Sequence, residues 1–226
     1  TLNGGNGADW ASYAASVGSV TVNLTTGAGT GGDAQGDVLS GIENLIGSNG
    51  NDLLTGDSGV NNLTGGSGDD TLAGEGGADV LSGGTGSDTV TYATSAQAVT
   101  VNLSTLTGTG GDAQGDSFAS IENVVGSNLN DLITGDGQIN ILNGGDGNDT
   151  LIGGGEADIL TGGNGSDTAS YATSAAGVTV NLETGVGAGG DAQGDLLSGI
   201  ENTIGSDHAD RLVGDTNANA LTGGTG

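Results

Sequence analysis

A single aliphatic residue returns every nine positions along this chain, set among small and polar neighbours. The series runs Leu54, Leu63, Leu72, Leu81, Val90, and again Ile133, Leu142, Leu151, Leu160, Ala169. Each is the middle of three residues which, if extended, point alternately to opposite faces. Positions 7 to 9 of each nonapeptide therefore predict a three-residue strand. Positions 1, 2 and 4 are mostly glycine, which permits the positive φ and tight curvature that a Cβ disfavours. Position 6 supplies an aspartate at the end of the turn. A strand this short cannot pair with its sequence neighbour across six residues and reuse the same turn at both ends. Two nonapeptides per 18-residue coil solve the problem, with unit n stacked on unit n+2. Two parallel sheets result, Leu54, Leu72 and Val90 in one and Leu63 and Leu81 in the other, and the turns form two columns along the edges.

A longer period encloses the short one. Tyr13, Tyr92 and Tyr171 are 79 residues apart, as are Ile42, Ile121 and Ile200. The expected organisation is one continuous solenoid. Residues 1–46 end a first repeat (nonapeptide 4–12, insert 13–46), and residues 47–125 form a second (nonapeptides 47–91, insert 92–125). Residues 126–204 form a third (nonapeptides 126–170, insert 171–204), and 205–226 begin a fourth. The chain starts at Thr1 and stops inside a Gly-rich unit, so it is expected to be a piece of a longer protein.

Each insert holds an alternating strand (VTVNL at 20–24, 99–103 and 178–182), a turn GGDAQGD (31–37, 110–116 and 189–195) and an apolar segment such as IENLI at 42–46. Strand, Gly-Asp turn and strand repeat the same grammar, so the solenoid is expected to continue through the insert with wider coils. Asp33, Asp37, Asp112, Asp116, Asp191 and Asp195 are either additional metal ligands or solvated residues of Asx-type turns. Glu43, Glu122 and Glu201 read as solvent-facing by default, with a ligand role as the alternative. The three tyrosines read as plugs in a widened core, and Trp10 takes an outward position 7.

Composition sharpens this picture. Among 226 residues there are 51 Gly, no Pro, Cys or Met, and 28 acidic side chains against one base, for a net charge of −27. Nucleic acid and anionic membranes are excluded as partners, because such binding rests on Lys and Arg, and only Arg211 is basic. Disulfides are impossible, and no apolar run reaches the 18 residues of a membrane span. Unaided, such a chain should be disordered. Stacking places Asp52, Asp70 and Asp88 one above another, roughly 4.8 Å per turn, with no cation from the chain to offset their repulsion. Carboxylates together with turn carbonyls, without N or S ligands, suit a hard divalent cation, and Ca2+ tolerates their irregular geometry better than Mg2+.

Units such as GGSGDDTLA (65–73), GGDGNDTLI (144–152) and GGNGSDTAS (162–170) resemble the RTX, or hemolysin-type, calcium-binding repeat of proteins secreted by Gram-negative bacteria. The inserts resemble segments that separate such blocks. The resemblance implies an all-β, right-handed parallel β-roll binding several Ca2+ ions through position-6 carboxylates and the carbonyls of positions 2 and 4. Carried over, the ligands are Gly66, Gly68 and Asp70; Gly84, Gly86 and Asp88; Gly145, Gly147 and Asp149; and Gly163, Gly165 and Asp167. Asp9, Asp79 and Asp158 join them. Asp52, Asp131 and Asp210 begin their columns with Ser in place of Gly at position 2. Asn61 and Asn140 are lesser candidate ligands: with Asn219 they replace Asp, and Asp79 and Asp158, which face a neutral amide in that column, are expected to hold calcium less tightly.

No catalytic machinery emerges. His208 has Gly50 and Leu129 as its counterparts in the other copies, the Gly-rich segments lack the Lys of a P-loop, and no EF-hand spacing appears. The leading expectation is a calcium-folded structural or spacer module of a secreted or cell-surface protein exported by type I secretion, not an enzyme. The alternative is a calcium-rigidified adhesin with a polysaccharide- or ice-binding face. Uncapped terminal strands add end-to-end self-association as a further expectation.

Overall fold

The computed structural model describes residues 1–226. It is all β, apart from three 3-10 turns at Gly32–Ala34, Gly111–Ala113 and Gly190–Ala192. No helix is long and apolar enough to cross a membrane. Contacts group the chain into two compact units, Thr1–Ser95 with Leu106–Ile121, and Ala96–Thr105 with Glu122–Gly226.

In the first unit, one sheet orders Trp10–Ser12, Asn44–Ile46, Asn62–Ser67, Val80–Thr85 and Ser117–Ala119, each parallel to the next. The other orders Thr89–Thr91, Thr71–Ala73, Leu53–Thr55 and Thr21–Asn23, again all parallel. The second unit repeats the plan. Thr100–Asn102, Leu132–Thr134, Thr150–Ile152, Thr168–Ser170, Asn202–Ile204 and Ala220–Thr222 run parallel in one sheet. Asn123–Val125, Ile141–Gly147, Ile159–Gly165 and Leu196–Ser198 do so in the other. The predicted two-unit stacking is what these registers show: Leu54 lies on Leu72, Leu72 on Val90, and Leu63 on Leu81. All five are fully buried, so the core is a ladder of single aliphatic side chains.

Two features differ from the expectation of three-residue strands and wider but otherwise uniform coils. Strands Asn62–Ser67 and Val80–Thr85 have 6 residues, and Ile141–Gly147 and Ile159–Gly165 have 7. They run on into the following Gly-rich turn, where Gly66 pairs with Gly84 and Gly145 with Gly163. Glycine lets the ladder continue at φ of 123° and 116°, which side chains rarely adopt. The inserts also contain antiparallel hairpins, Thr21–Asn23 against Ala28–Thr30 and Thr179–Asn181 against Val186–Ala188. The coil does widen there: Val80 stacks on Ser117 across the insert, where nonapeptides stack at a separation of 18, as Asn62 does on Val80.

Candidate metal centre

Position 6 residues are buried in two columns, each built the same way. The backbone N–H of one donates to the side chain of the position 6 residue one coil later. Asp52 N–H reaches Asp70 Oδ1 at 2.8 Å and Asp70 N–H reaches Asp88 Oδ1 at 2.8 Å. In the second unit Asp131 donates to Asp149 Oδ1 at 2.8 Å and Asp149 to Asp167 Oδ1 at 2.7 Å. The other column runs from Asn61 through Asp79 to Asp116, and from Asn140 through Asp158 to Asp195, at 2.8 to 2.9 Å. Each Oδ1 is thereby committed to the fold.

The outer oxygens divide into two groups. Oδ2 of Asp9, Asp70, Asp79, Asp149, Asp158, Asp167 and Asp210 is buried with no hydrogen-bond donor. Buried polar atoms nearly always find a partner, and an orphan demands an explanation such as an ion. A carbonyl stands close by. A Cβ on Gly65 would strike both Asp70 Oδ2 and the oxygen of Gly83, one on Gly144 would meet Asp149 Oδ2 and Gly162 O, and one on Gly162 would meet Asp167 Oδ2 and Gly199 O. Carboxylate and carbonyl oxygens from successive coils thus share a recess with no donor between them. No three His, Asp or Glu side chains converge anywhere, so the remaining oxygens at such a recess are backbone ones. Gly66, Gly68, Gly145 and Gly147 align their carbonyls toward the next turn, against Gly84, Gly86, Gly163 and Gly165. This all-oxygen donor set fits a hard divalent cation.

The second group has its own donors. Asp52 accepts Ser48 N–H on Oδ2, and Ser48 Oγ and Val20 N–H on Oδ1. Asp131 is served identically by Ser127 and Val99. At Asp210 only Oδ1 is served, by Ser206 Oγ and Val178 N–H. Asn61 accepts Asp57 N–H on Oδ1 and donates Nδ2 to Glu43 O, and Asn140 and Asn219 do the same with Asp136 and Glu122, and with Asp215 and Glu201. Asp116 and Asp195 take a tyrosine hydroxyl on Oδ2, from Tyr92 at 2.7 Å and Tyr171 at 2.9 Å, and Tyr13 reaches Asp37 at 3.2 Å. The tyrosines plug the widened core as expected, and Tyr92 and Tyr171 also satisfy a buried carboxylate there.

Reading the sequence missed two of these roles. Glu43 and Glu201 do not simply face solvent, since Oε2 of each accepts the N–H of Asp9 and Asp167 and so takes the place of an aspartate in the column. Their offset of 34 residues from those partners hides this from a nine-residue search. Asp33, Asp112 and Asp191 lie in the 3-10 turns, where their N–H groups donate to Ser16, Ser95 and Ser174.

Burial pushes the carboxyls of Asp79 and Asp158 up from 3.8 to about 7, and those of Asp70 and Asp149 to about 6, with backbone N–H bonds opposing and neighbouring carboxylates adding to the rise. A raised folded-state pKa contributes stability below the unfolded value, and that stability is lost as pH rises through 6 to 7. In chelator, strand signal in far-UV circular dichroism is therefore expected to grow as pH falls from about 8 to about 5. A signal that declines over that range contradicts the burial of these groups.

The RTX calcium-binding nonapeptide repeat matches this chain four times, at residues 37–72, 55–90, 125–159 and 134–169. Residues 37–90 and 125–169 are RTX calcium-binding repeats. RTX nonapeptides bind Ca2+, several ions per array, on a parallel β-roll. Both matched blocks contain the unpartnered Oδ2 atoms of the RTX turns, Asp70 and Asp79 in one and Asp149, Asp158 and Asp167 in the other. A comparison with curated proteins gave no match.

Proposed function

We propose that this chain is a calcium-folded structural segment of a larger secreted or surface protein, with Ca2+ held by Asp70, Asp79, Asp149, Asp158 and Asp167 and the adjoining turn carbonyls. The observation that carries the reading is the set of buried Oδ2 atoms without donors, in a chain of net charge −27. Bound calcium supplies the positive charge the chain lacks, and its binding free energy becomes folding free energy. At 100 times its Kd each ion contributes about 2.7 kcal/mol. A chain that stays unfolded until it meets millimolar calcium suits export through a narrow channel and folding outside the cell.

A polysaccharide- or ice-binding face has less support. The outward register runs Thr21, Leu53, Thr71, Thr89 in one unit and Thr100, Leu132, Thr150, Thr168, Asn202 in the other, which is irregular for a flat threonine array. The test is far-UV circular dichroism in EGTA and then in excess calcium. Strand signal is expected only with calcium; a spectrum unchanged by chelation at neutral pH overturns the reading.

A further inference from the structure

The division between orphaned and satisfied oxygens follows one backbone angle. Where position 2 has positive φ, its N–H turns away and the outer oxygen of position 6 has no donor. Gly5, Gly66, Gly145, Gly154 and Gly163 have φ of 96°, 123°, 107°, 102° and 114°, and their partners are Asp9, Asp70, Asp149, Asp158 and Asp167, all with a bare Oδ2. Asp79 obeys the same relation through a residue that is not glycine, because Glu75 is held at φ 62°. Where position 2 keeps an ordinary φ, its N–H points at the outer oxygen instead. Ser48, Ser127, Asp57, Asp136 and Asp215 all do this, onto Asp52, Asp131, Asn61, Asn140 and Asn219. The half-buried Asp210 departs from the relation: Ser206 has no positive φ, yet the Ser206 hydroxyl and Val178 N–H both reach Oδ1, and Oδ2 stays bare.

An N–H aimed at that oxygen carries the partial positive charge that a cation would otherwise provide, and it fills the same space. Beside the orphaned Asp70, the direction of a Cβ on Gly65 meets Oδ2 and Gly83 O; beside Asn61, the same direction on Gly56 meets Oδ1 and Gly74 O. The two recesses have the same walls, and only the source of the donor differs.

We propose that position 2 decides which turns take calcium, so that Asp52, Asp131, Asn61, Asn140 and Asn219 are closed to it by a backbone N–H. The closed turns are fixed joints at the start of each nonapeptide block, made without metal, and the open turns between them depend on it. Asn61 and Asn140 are then not weak ligands. Their amides complete a hydrogen-bonded corner with Asp57 and Glu43, and with Asp136 and Glu122.

This rests on the calcium reading above, and a comparison at one residue separates the two. Calcium bound per chain is counted by equilibrium dialysis with metal analysis for the parent, Ser127→Ala and Ser127→Gly, each checked for folding by circular dichroism in calcium. Alanine removes the hydroxyl and keeps the N–H and the ordinary φ, so its count is expected to equal the parent's. Glycine frees the peptide to turn, and its count is expected to rise by an ion at Asp131. A parallel pair reads the other column: Asn140→Asp alone leaves the count unchanged, and Asn140→Asp with Asp136→Gly raises it. Equal counts for Ser127→Ala and Ser127→Gly, or a gain in both, overturn the proposal. A parent that binds no calcium overturns the reading beneath it instead.

Discussion

Asp149→Ala is expected to cost the second unit both a calcium ion and a coil, because that side chain does two separable jobs. Its Oδ1 accepts Asp131 N–H at 2.8 Å, and its Oδ2 is one of the bare oxygens. Alanine strands a buried N–H, at about 1–3 kcal/mol, and removes a ligand whose ion contributes about 2.7 kcal/mol at 100 times its Kd. Together this is roughly 4–6 kcal/mol, a large share of the 5–15 kcal/mol that holds an ordinary domain together. Asp149→Asn separates the two effects. It keeps an oxygen for Asp131 N–H and discards the charge, so it is expected to lose the ion with a smaller fall in stability. In chelator the order reverses: the asparagine variant has no buried charge at that level and should hold more strand signal than the parent. Calcium titrations followed by circular dichroism and by thermal melting distinguish all three proteins. Identical titration curves for parent and Asp149→Asn would show that Oδ2 binds nothing.

Leu151→Ala is expected to be as damaging, through packing alone. Leu151 is fully buried and lies in register between Ile133 and Ala169. A solenoid core of this kind has one aliphatic residue per nonapeptide at each level, and the backbone hydrogen bonds above and below hold the coils at fixed spacing. The cavity cannot collapse, which places the cost toward the upper part of the usual range of about 2–5 kcal/mol. Ile141→Ala provides the control. Ile141 is 44% exposed and points outward beside the buried Leu142, so its replacement is expected to stay within about 0.5 kcal/mol. Thermal unfolding in saturating calcium measures both, and equal losses would mean that the inner and outer faces of these two sheets are not as described.

The core was almost fully legible from the spacing of residues. Leu54, Leu72 and Val90 stack because a period of nine and a strand of three leave a single economical coil, and the side-chain period alone says which residue points inward. The hairpins of the inserts were not legible, since Thr21–Asn23 and Ala28–Thr30 alternate in the same way whether the chain continues parallel or folds back. At the candidate site, sequence placed the right residue type at the right level and could not say which oxygens were free. That depends on whether the N–H at position 2 faces inward or outward, which is a matter of one φ angle. The substitution of Ser48 and Ser127 for glycine was the visible signal of the difference. Glu75 carries no such signal, because its φ of 62° is imposed by the fold and not by its side chain. Glu43 and Glu201 were hidden for another reason: a carboxylate one methylene longer reaches the column from a different offset.

The central claim is that calcium sits where the buried carboxylates have no protein donor. Long-wavelength anomalous difference maps from crystals grown in calcium test it directly. Peaks are expected against Oδ2 of Asp70, Asp79, Asp149, Asp158 and Asp167, with none against Asp52, Asp131, Asn61 or Asn140. Peaks at those four residues, or bare density beside Asp149 in a calcium-loaded crystal, would contradict it.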